Sequence, residues 1–217
     1  MENTLVTGKE LCAAEGEQGL FAALPSSSSM DLMLIASPSN ATSMYMPFYY
    51  LYLAGYMEKC GIRVSIVDPH FNTREKNVSH IIDQVKLHNP RYVGLACFVT
   101  DYDVIHDLAV KIKEVSSAPI MVGNAQPSVS PEDFLYDGSP FDIVAKGEAE
   151  ETVREIVTSS GNFNSLNQIK GIAFFDGQSI VTTDKRPLIN LSDLGKPAYH
   201  LMDMDWYTQP SKYIIRR

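Results

Sequence analysis

The apolar residues of this chain gather into five short runs: DLMLIA (residues 31–36), RVSIV (63–67), YVGLACFV (92–99), APIMV (118–122) and FDIVA (141–145). Runs of this length, apolar at successive positions, predict strands covered on both faces of a sheet. Between the runs the apolar period changes to that of a helix. Pro47 opens a stretch that passes through Leu51, Leu53 and Tyr56 to Cys60 and stops at Gly61. Val78, Ile81, Ile82 and Val85 mark one face of a second helix before Pro90. Val104, Ile105, Leu108, Ala109, Ile112 and Val115 form a third stripe, with Asp101 or Asp103 available as its cap. Ser130, Pro131, Glu132 and Asp133 have the residue types of a fourth helix start, and a fifth helix runs from about Glu148 to Gly161. Five strands alternating with five helices predict an α/β fold: a doubly wound, flavodoxin-like, five-stranded parallel sheet with right-handed crossovers.

After residue 161 the rhythm breaks. Residues 172–175 (IAFF) and 179–183 (SIVTT) flank Asp176-Gly177 and predict a β-hairpin. Residues 187–207 read as an extended strap, and the chain ends on an apolar-then-basic YIIRR. Residues 1–29 are weakly patterned and close on four serines, which predicts a flexible lead, with Leu20–Leu24 as a short docking helix. The expected division is a lead over 1–29, a Rossmann-type domain over 30–161, and a hairpin and linker over 162–217.

Composition narrows the function. The net charge of −8 and the lack of a basic block argue against nucleic acid. The aromatic run over 45–57 is too short to span a bilayer and reads as a buried helix, and no secretory signal is present. Cys12, Cys60 and Cys97 are far apart and form no CxxC pair, so this chain by itself is not expected to build a zinc or iron–sulfur site. Sparse cysteines point to a reducing cytoplasm.

In an open parallel sheet, ligands bind beyond the carboxyl ends of the strands. The five loops there are 37–46, 68–72, 100–102, 123–128 and 146–150. The first has no glycine, so the phosphate turn of a dinucleotide site is missing, and no P-loop occurs. A phosphoacceptor site needs acids after the first strand, where Ser and Asn stand, although Lys146 is suitably placed. The glycines sit in the fourth and fifth loops, at Gly123 and Gly147, where bare backbone can approach a bulky ligand.

Taken in order, these segments resemble the cobalamin-binding domain of cobalamin-dependent radical S-adenosylmethionine enzymes, over about residues 31–210. The family's helix of the form Pro-x-x-x-x-Tyr-Leu-Ala-x-x-Leu is similar to PFYYLYLAGYM (47–57); its Gly-Gly-x-His-Pro turn to Gly123-Asn124-Ala125-Gln126-Pro127; its Gly-Glu-Gly-Glu to Gly147-Glu148-Ala149-Glu150; and its hairpin and Leu-Pro-x-Pro strap to residues 171–183 and LGKPAY (194–199). The resemblance implies cobalamin held base-off, with Ser37, Pro38, Ser39, Tyr45, Met46, Thr100, Asp101, Gly123, Asn124, Gln126, Pro127, Gly147 and Glu148 as contacts. Tyr45 and Met46 would cover the lower corrin face, and no protein metal ligand is implied. It further implies a radical S-adenosylmethionine barrel as partner, in cis or as a subunit, carrying S-adenosylmethionine and a [4Fe-4S] cluster for methyl transfer or ring formation.

The departures are Asn124 for the second glycine, Gln126 for the histidine and Ala149 for a glycine, and no CxxxCxxC follows the strap. A truncated domain or separated subunit is therefore expected, not catalytic on its own. Three other readings stand beside this one. The altered turns fit a docking or substrate-recognition module that has lost the cofactor. Asp68 and Lys146 could serve an enzyme acting on a nucleotide or small acid. His70 is a cobalt-ligand candidate, against an ordinary loop histidine.

Overall fold

Alternate residues of each central strand serve opposite cores. The computed structural model describes residues 30–38, 46–159 and 163–208. The expected lead over 1–29, the docking helix, Ser39, Tyr45, the boundary at Gly161 and the basic end lie outside these residues. The elements follow as β1 (Leu32–Ile35), α1 (Phe48–Lys59), β2 (Val64–Val67), α2 (Arg74–His88), β3 (Tyr92–Ala96), α3 (Tyr102–Lys113), β4 (Ile120–Gly123), α4 (Ala125–Val129), β5 (Ile143–Ala145), α5 (Glu150–Thr158), α6 (Phe163–Gln168), β6 (Ile172–Phe175), β7 (Ile180–Thr182), α7 (Leu191–Leu194) and α8 (Met204–Thr208). On one face Leu32, Leu34, Tyr92, Met121 and Ile143 pack with α1 and α5. On the other, Met33, Ile35, Val93, Leu95, Ile120 and Val122 pack with α2 and α3.

The sheet has seven strands in the order β2-β1-β3-β4-β5-β6-β7. The first five are parallel, and β6 and β7 are antiparallel. The sheet is therefore mixed and wider than the five strands expected. The hairpin does not stand apart, because Ile172, Ala173 and Phe174 carry the apolar edge that β5 needs as a neighbour. Its turn closes through the Asp176 carboxylate, which accepts from the N–H groups of Gln178 and Ser179, and through Gly177 at φ 95°.

Two helix starts differ from expectation. The helix assigned to Ser130 is a single 3-10 turn, Pro131–Asp133. The chain then dives inward, where Phe134 and Leu135 are fully buried, and burial of those two outweighs helix extension. The α-helical turn comes earlier, over Ala125–Val129. Asp101 stands at the start of α3 but makes no side-chain cap, because its carboxylate accepts from the Thr100 hydroxyl instead.

The strap from 187 to 207 crosses the outside of α1. Gly55 makes this possible: a Cβ there would lie 2.0 Å from the carbonyl oxygen of Lys196. The Ala198 N–H donates to the Leu51 carbonyl at 2.9 Å, and Lys59 Nζ donates to the Asp193 carbonyl at 2.6 Å. The strap returns to the carboxyl edge of the sheet, where Tyr207 donates to Asp68 and the Trp206 ring stacks on His70 at 4.6 Å.

Candidate functional site: a cavity at the carboxyl edge of the sheet

Small residues run across three neighbouring strands. Ala96 pairs with Gly123 in register, and Gly123 faces Ala145 on β5. One turn of pleat deeper, Gly94 on β3 faces the same side. Missing side chains on one sheet face leave a void unless the covering helices fill it. Here α1 and α5 do not. A cavity of about 390 Å³ lies between them and the sheet, floored by Leu34, Gly94, Ala96 and Met121 and walled by Tyr50, Leu53 and Val153.

The two clearing glycines differ in what they permit. A Cβ on Gly94 would meet Leu34 Cδ2 at 2.7 Å, so the Leu34 side chain would have to shift. A Cβ on Gly123 would make only ordinary contacts, 3.6 Å to the Ala145 oxygen and 3.9 Å to its Cβ. The fold does not require glycine at 123.

The rim is built by loops four and five. Gly147 has φ 77°, a backbone region that glycine enters without strain. Ser128 ties the two loops together, accepting from the Gly147 N–H at 3.2 Å and donating to the Asn124 carbonyl at 2.7 Å. Asn124 has φ 94° and ψ −174°, a conformation almost confined to glycine, and its Oδ1 accepts from the Ala125 N–H at 2.7 Å. Glu148 accepts from the Ile189 N–H of the strap at 2.8 Å. Glu150 opens α5, and burial, reinforced by the charge of Glu148, pushes its carboxyl up. Tyr49 and Phe98 meet edge to face at 6.2 Å, both half exposed. Burial, then the charges of Asp68 and Asp101, pushes the Tyr49 hydroxyl up to about 12, so it stays a neutral phenol. The Tyr50 hydroxyl donates to the Ile35 carbonyl at 2.8 Å.

Of the residues expected at a site, Gly123, Asn124, Gly147 and Glu148 line this cavity. Ser37, Pro38, Met46, Thr100, Asp101, Gln126 and Pro127 are not on its wall. Ser37 Oγ is buried with no hydrogen-bond partner among the described residues, Pro38 and Pro127 are buried, and Gln126 turns outward to Asp133 at 3.3 Å. The sequence reading missed Gly94, Ala96 and Ala145, and named Glu150 in the fifth-loop motif without placing it among the contacts. A lone glycine inside a strand was the available signal for the first.

The competing chemistries are also placed. Asp68 is bound by Tyr207, while Lys146 lines a second hollow beside Gly171 and Arg186, so the two are not brought to one wall. His70 Nε2 lies 3.4 Å from Asp68, buried and out of line for a hydrogen bond, beneath Trp206. Cys97 is buried, and burial pushes its thiol up to about 11, the opposite of an activated nucleophile. Among the described residues, no group of three His, Cys, Asp or Glu could hold a metal, and no helix is long and apolar enough to cross a membrane.

The chain is 26% identical over 165 residues to an anaerobic magnesium-protoporphyrin IX monomethyl ester cyclase of Synechocystis sp., covering 75% of this chain and 33% of that protein. It is 26% identical over 133 residues to an uncharacterised methyltransferase of Pyrococcus horikoshii, covering 59% of this chain and 28% of that one. The chain thus spans about a third or less of the curated relatives it matches. Among solved structures, it superposes on OxsB, a cobalamin-dependent S-adenosylmethionine radical enzyme, with a TM-score of 0.68 at 18% identity, covering 81% of this chain and 25% of that one. It superposes on TsrM from Kitasatospora setae, a radical S-adenosylmethionine methyltransferase solved with cobalamin and a [4Fe-4S] cluster, with a TM-score of 0.60 at 18% identity, covering 77% and 31%. The B12 binding domain family matches residues 40–157, more than half of the chain, from within the first loop to the last turn of α5. The chain belongs to the B12-binding domain family.

Proposed function

We propose that this chain is the cobalamin-holding part of a radical S-adenosylmethionine enzyme and that it binds cobalamin base-off at the carboxyl edge of its sheet. The observation that carries the reading is Gly123: its missing side chain opens a cavity that the fold has room to fill. The cavity is of small-molecule size, at the lower end of the roughly 300–1,000 Å³ seen for such sites. It suits the slender nucleotide tail of cobalamin and is far too small for the corrin. The residues fit the group. Gly123, Asn124, Gly147 and Glu148 hold the tail, while Ser37, Pro38, Met46, Thr100, Asp101, Gln126 and Pro127 lie off the cavity wall and remain proposed contacts to the rest of the cofactor.

When bound, the cobalt supplies a nucleophilic centre that accepts and passes on a methyl group. This chain's part is to orient the cofactor and keep its tail away from the metal. The complete protein then carries out methyl transfer or ring formation in the cytoplasm, with a barrel domain, in cis or as a subunit, supplying S-adenosylmethionine and the [4Fe-4S] cluster. The division into a lead over 1–29, a cofactor domain over 30–161 and a connecting hairpin and strap over 162–217 follows from that role.

A visible-spectrum titration with hydroxocobalamin followed by gel filtration tests the binding. The expected outcome is a coloured, co-eluting complex with a base-off spectrum, lost in Gly123→Leu. Complete separation of colour from demonstrably folded protein overturns it. The second reading, a docking module that has lost the cofactor, is favoured by the strained Asn124 and by the engagement of Glu148 with the strap. It predicts that separation.

A further inference from the structure

The second hollow, of about 380 Å³, shares only Gly147 and Glu148 with the cavity above. Its walls come from segments far apart in the chain: Lys146 after β5, Gly171 before β6, Thr182 at the end of β7, and Lys185, Arg186 and Leu188 beyond it. Backbone bonds draw them together. The Lys146 N–H donates to the Gly171 carbonyl, and the Gly171 N–H donates to the Asp184 carbonyl, both at 2.8 Å. Three cations and one acid line the hollow, in a chain whose net charge is −8. Arg186 is already engaged: its guanidinium pairs with Glu155 on α5, and its Nε donates to the Thr152 hydroxyl at 2.8 Å. Glu148 accepts from the Ile189 N–H. Lys146 and Lys185 differ. Among the described residues neither makes a side-chain hydrogen bond or ion pair.

Two uncommitted ammonium groups in one concave site, beside a hydroxyl, specify an anion. The donor types narrow which one. A planar carboxylate is best met by the guanidinium fork, and here that fork is spent on Glu155. The ammonium acts as a point charge and serves a tetrahedral phosphoryl group, whose oxygens spread in several directions. The hollow is larger than a phosphoryl group alone needs and lies within the size range of small-molecule sites. Leu188, largely exposed, offers an apolar surface to the rest of the ligand. We propose that this hollow is an anion site, separate from the cofactor cavity, for the phosphoryl group of a small phosphorylated molecule, held by Lys146 and Lys185 with the Thr182 hydroxyl. It stands without the cobalamin reading.

The test is calorimetric titration of the chain with three probes: glycerol 3-phosphate, inorganic phosphate, and glycerate as a carboxylate of similar size. The expected result is saturable binding of both phosphates, with glycerate roughly tenfold weaker. Lys146→Gln and Lys185→Gln each weaken glycerol 3-phosphate by about tenfold. Lys111→Gln, an exposed lysine on α3, leaves its affinity unchanged. Circular dichroism confirms that each variant is folded. Added hydroxocobalamin leaves the affinity for glycerol 3-phosphate unchanged. No saturable binding to folded protein overturns the site, and so does equal weakening by Lys111→Gln, which marks general charge attraction. Glycerate binding as tightly as glycerol 3-phosphate overturns the phosphoryl assignment. Hydroxocobalamin has a phosphodiester in its tail, so competition by it overturns the separation of hollow from cavity.

Discussion

Asn124 carries the largest local strain in the site. Its φ of 94° with ψ of −174° falls in a region that costs a non-glycine residue about 1–3 kcal/mol. The hydrogen bond from the Ala125 N–H to its side chain offsets part of this. Asn124→Gly is therefore expected to stabilise the protein by about 1 kcal/mol, read as a rise in melting temperature of roughly 2–4 °C. An unchanged or lower melting temperature counts against the strain. Gly123→Ala, by contrast, should leave stability within about 0.5 kcal/mol, because the added Cβ makes only ordinary contacts. A second residue-scale device joins the starts of β1 and β2. The Asp31 carboxylate receives Arg63 at 2.8 Å, with Arg91 at 3.4 Å. The hydrogen bond from Arg63 is the main reason its carboxyl sits below the usual 3.8. A depressed carboxyl stabilises the fold above its unfolded value and loses that contribution as the pH falls through the folded one. Asp31→Asn should thus lower the urea midpoint at pH 7, modestly because the pair is solvent-screened, and the difference from wild type should shrink as the pH falls below 3.8 and vanish only once the pH is below the lower, folded value. A difference that persists in acid means the effect is steric.

At the scale of elements, α1 does two jobs. Its inner face, with Tyr50, Leu53 and Ala54, packs on the sheet and roofs the cavity, and its outer face receives the strap at Gly55. In a free helix, replacing glycine by alanine gains about 1 kcal/mol. Here the added Cβ falls on the Lys196 carbonyl, so Gly55→Ala should instead destabilise by about 1–3 kcal/mol and open the strap to protease cleavage within residues 187–205. A stabilised, protease-resistant variant refutes the strap's placement. The helices also show why patterns in sequence mislead at starts. Ser130 and Pro131 have the right residue types for a helix, yet burial of Phe134 and Leu135 stops it after one 3-10 turn.

For the whole molecule, the two cores clamp the middle strands and leave the hairpin edge thin. β1, β3 and β4 are buried almost throughout, whereas β7 is half to fully exposed. Amide exchange should be slowest in β1, β3 and β4 and fastest, among strands, in β7. Equal protection across the sheet contradicts this ordering. The strap closes the assembly by touching two of the five edge loops, through Glu148 and through Asp68 with His70. Strap and cavity rim are therefore mechanically linked.

The continuous apolar runs and the helical stripes between them determined the α/β class, the order of the first five strands along the chain and the two-sided core. Each of these is set by local period and burial, which neighbouring residues record. The turn glycines at 123 and 147 were legible for the same reason. What came from tertiary structure alone depends on residues far apart in the chain. The hairpin joins the sheet because β5 needs an apolar neighbour, and Gly55 is required by a carbonyl 141 positions later in the chain. The cavity exists because Gly94, Ala96, Gly123 and Ala145 meet across three strands. Each is an unremarkable small residue in its own segment, and only strand register makes them neighbours.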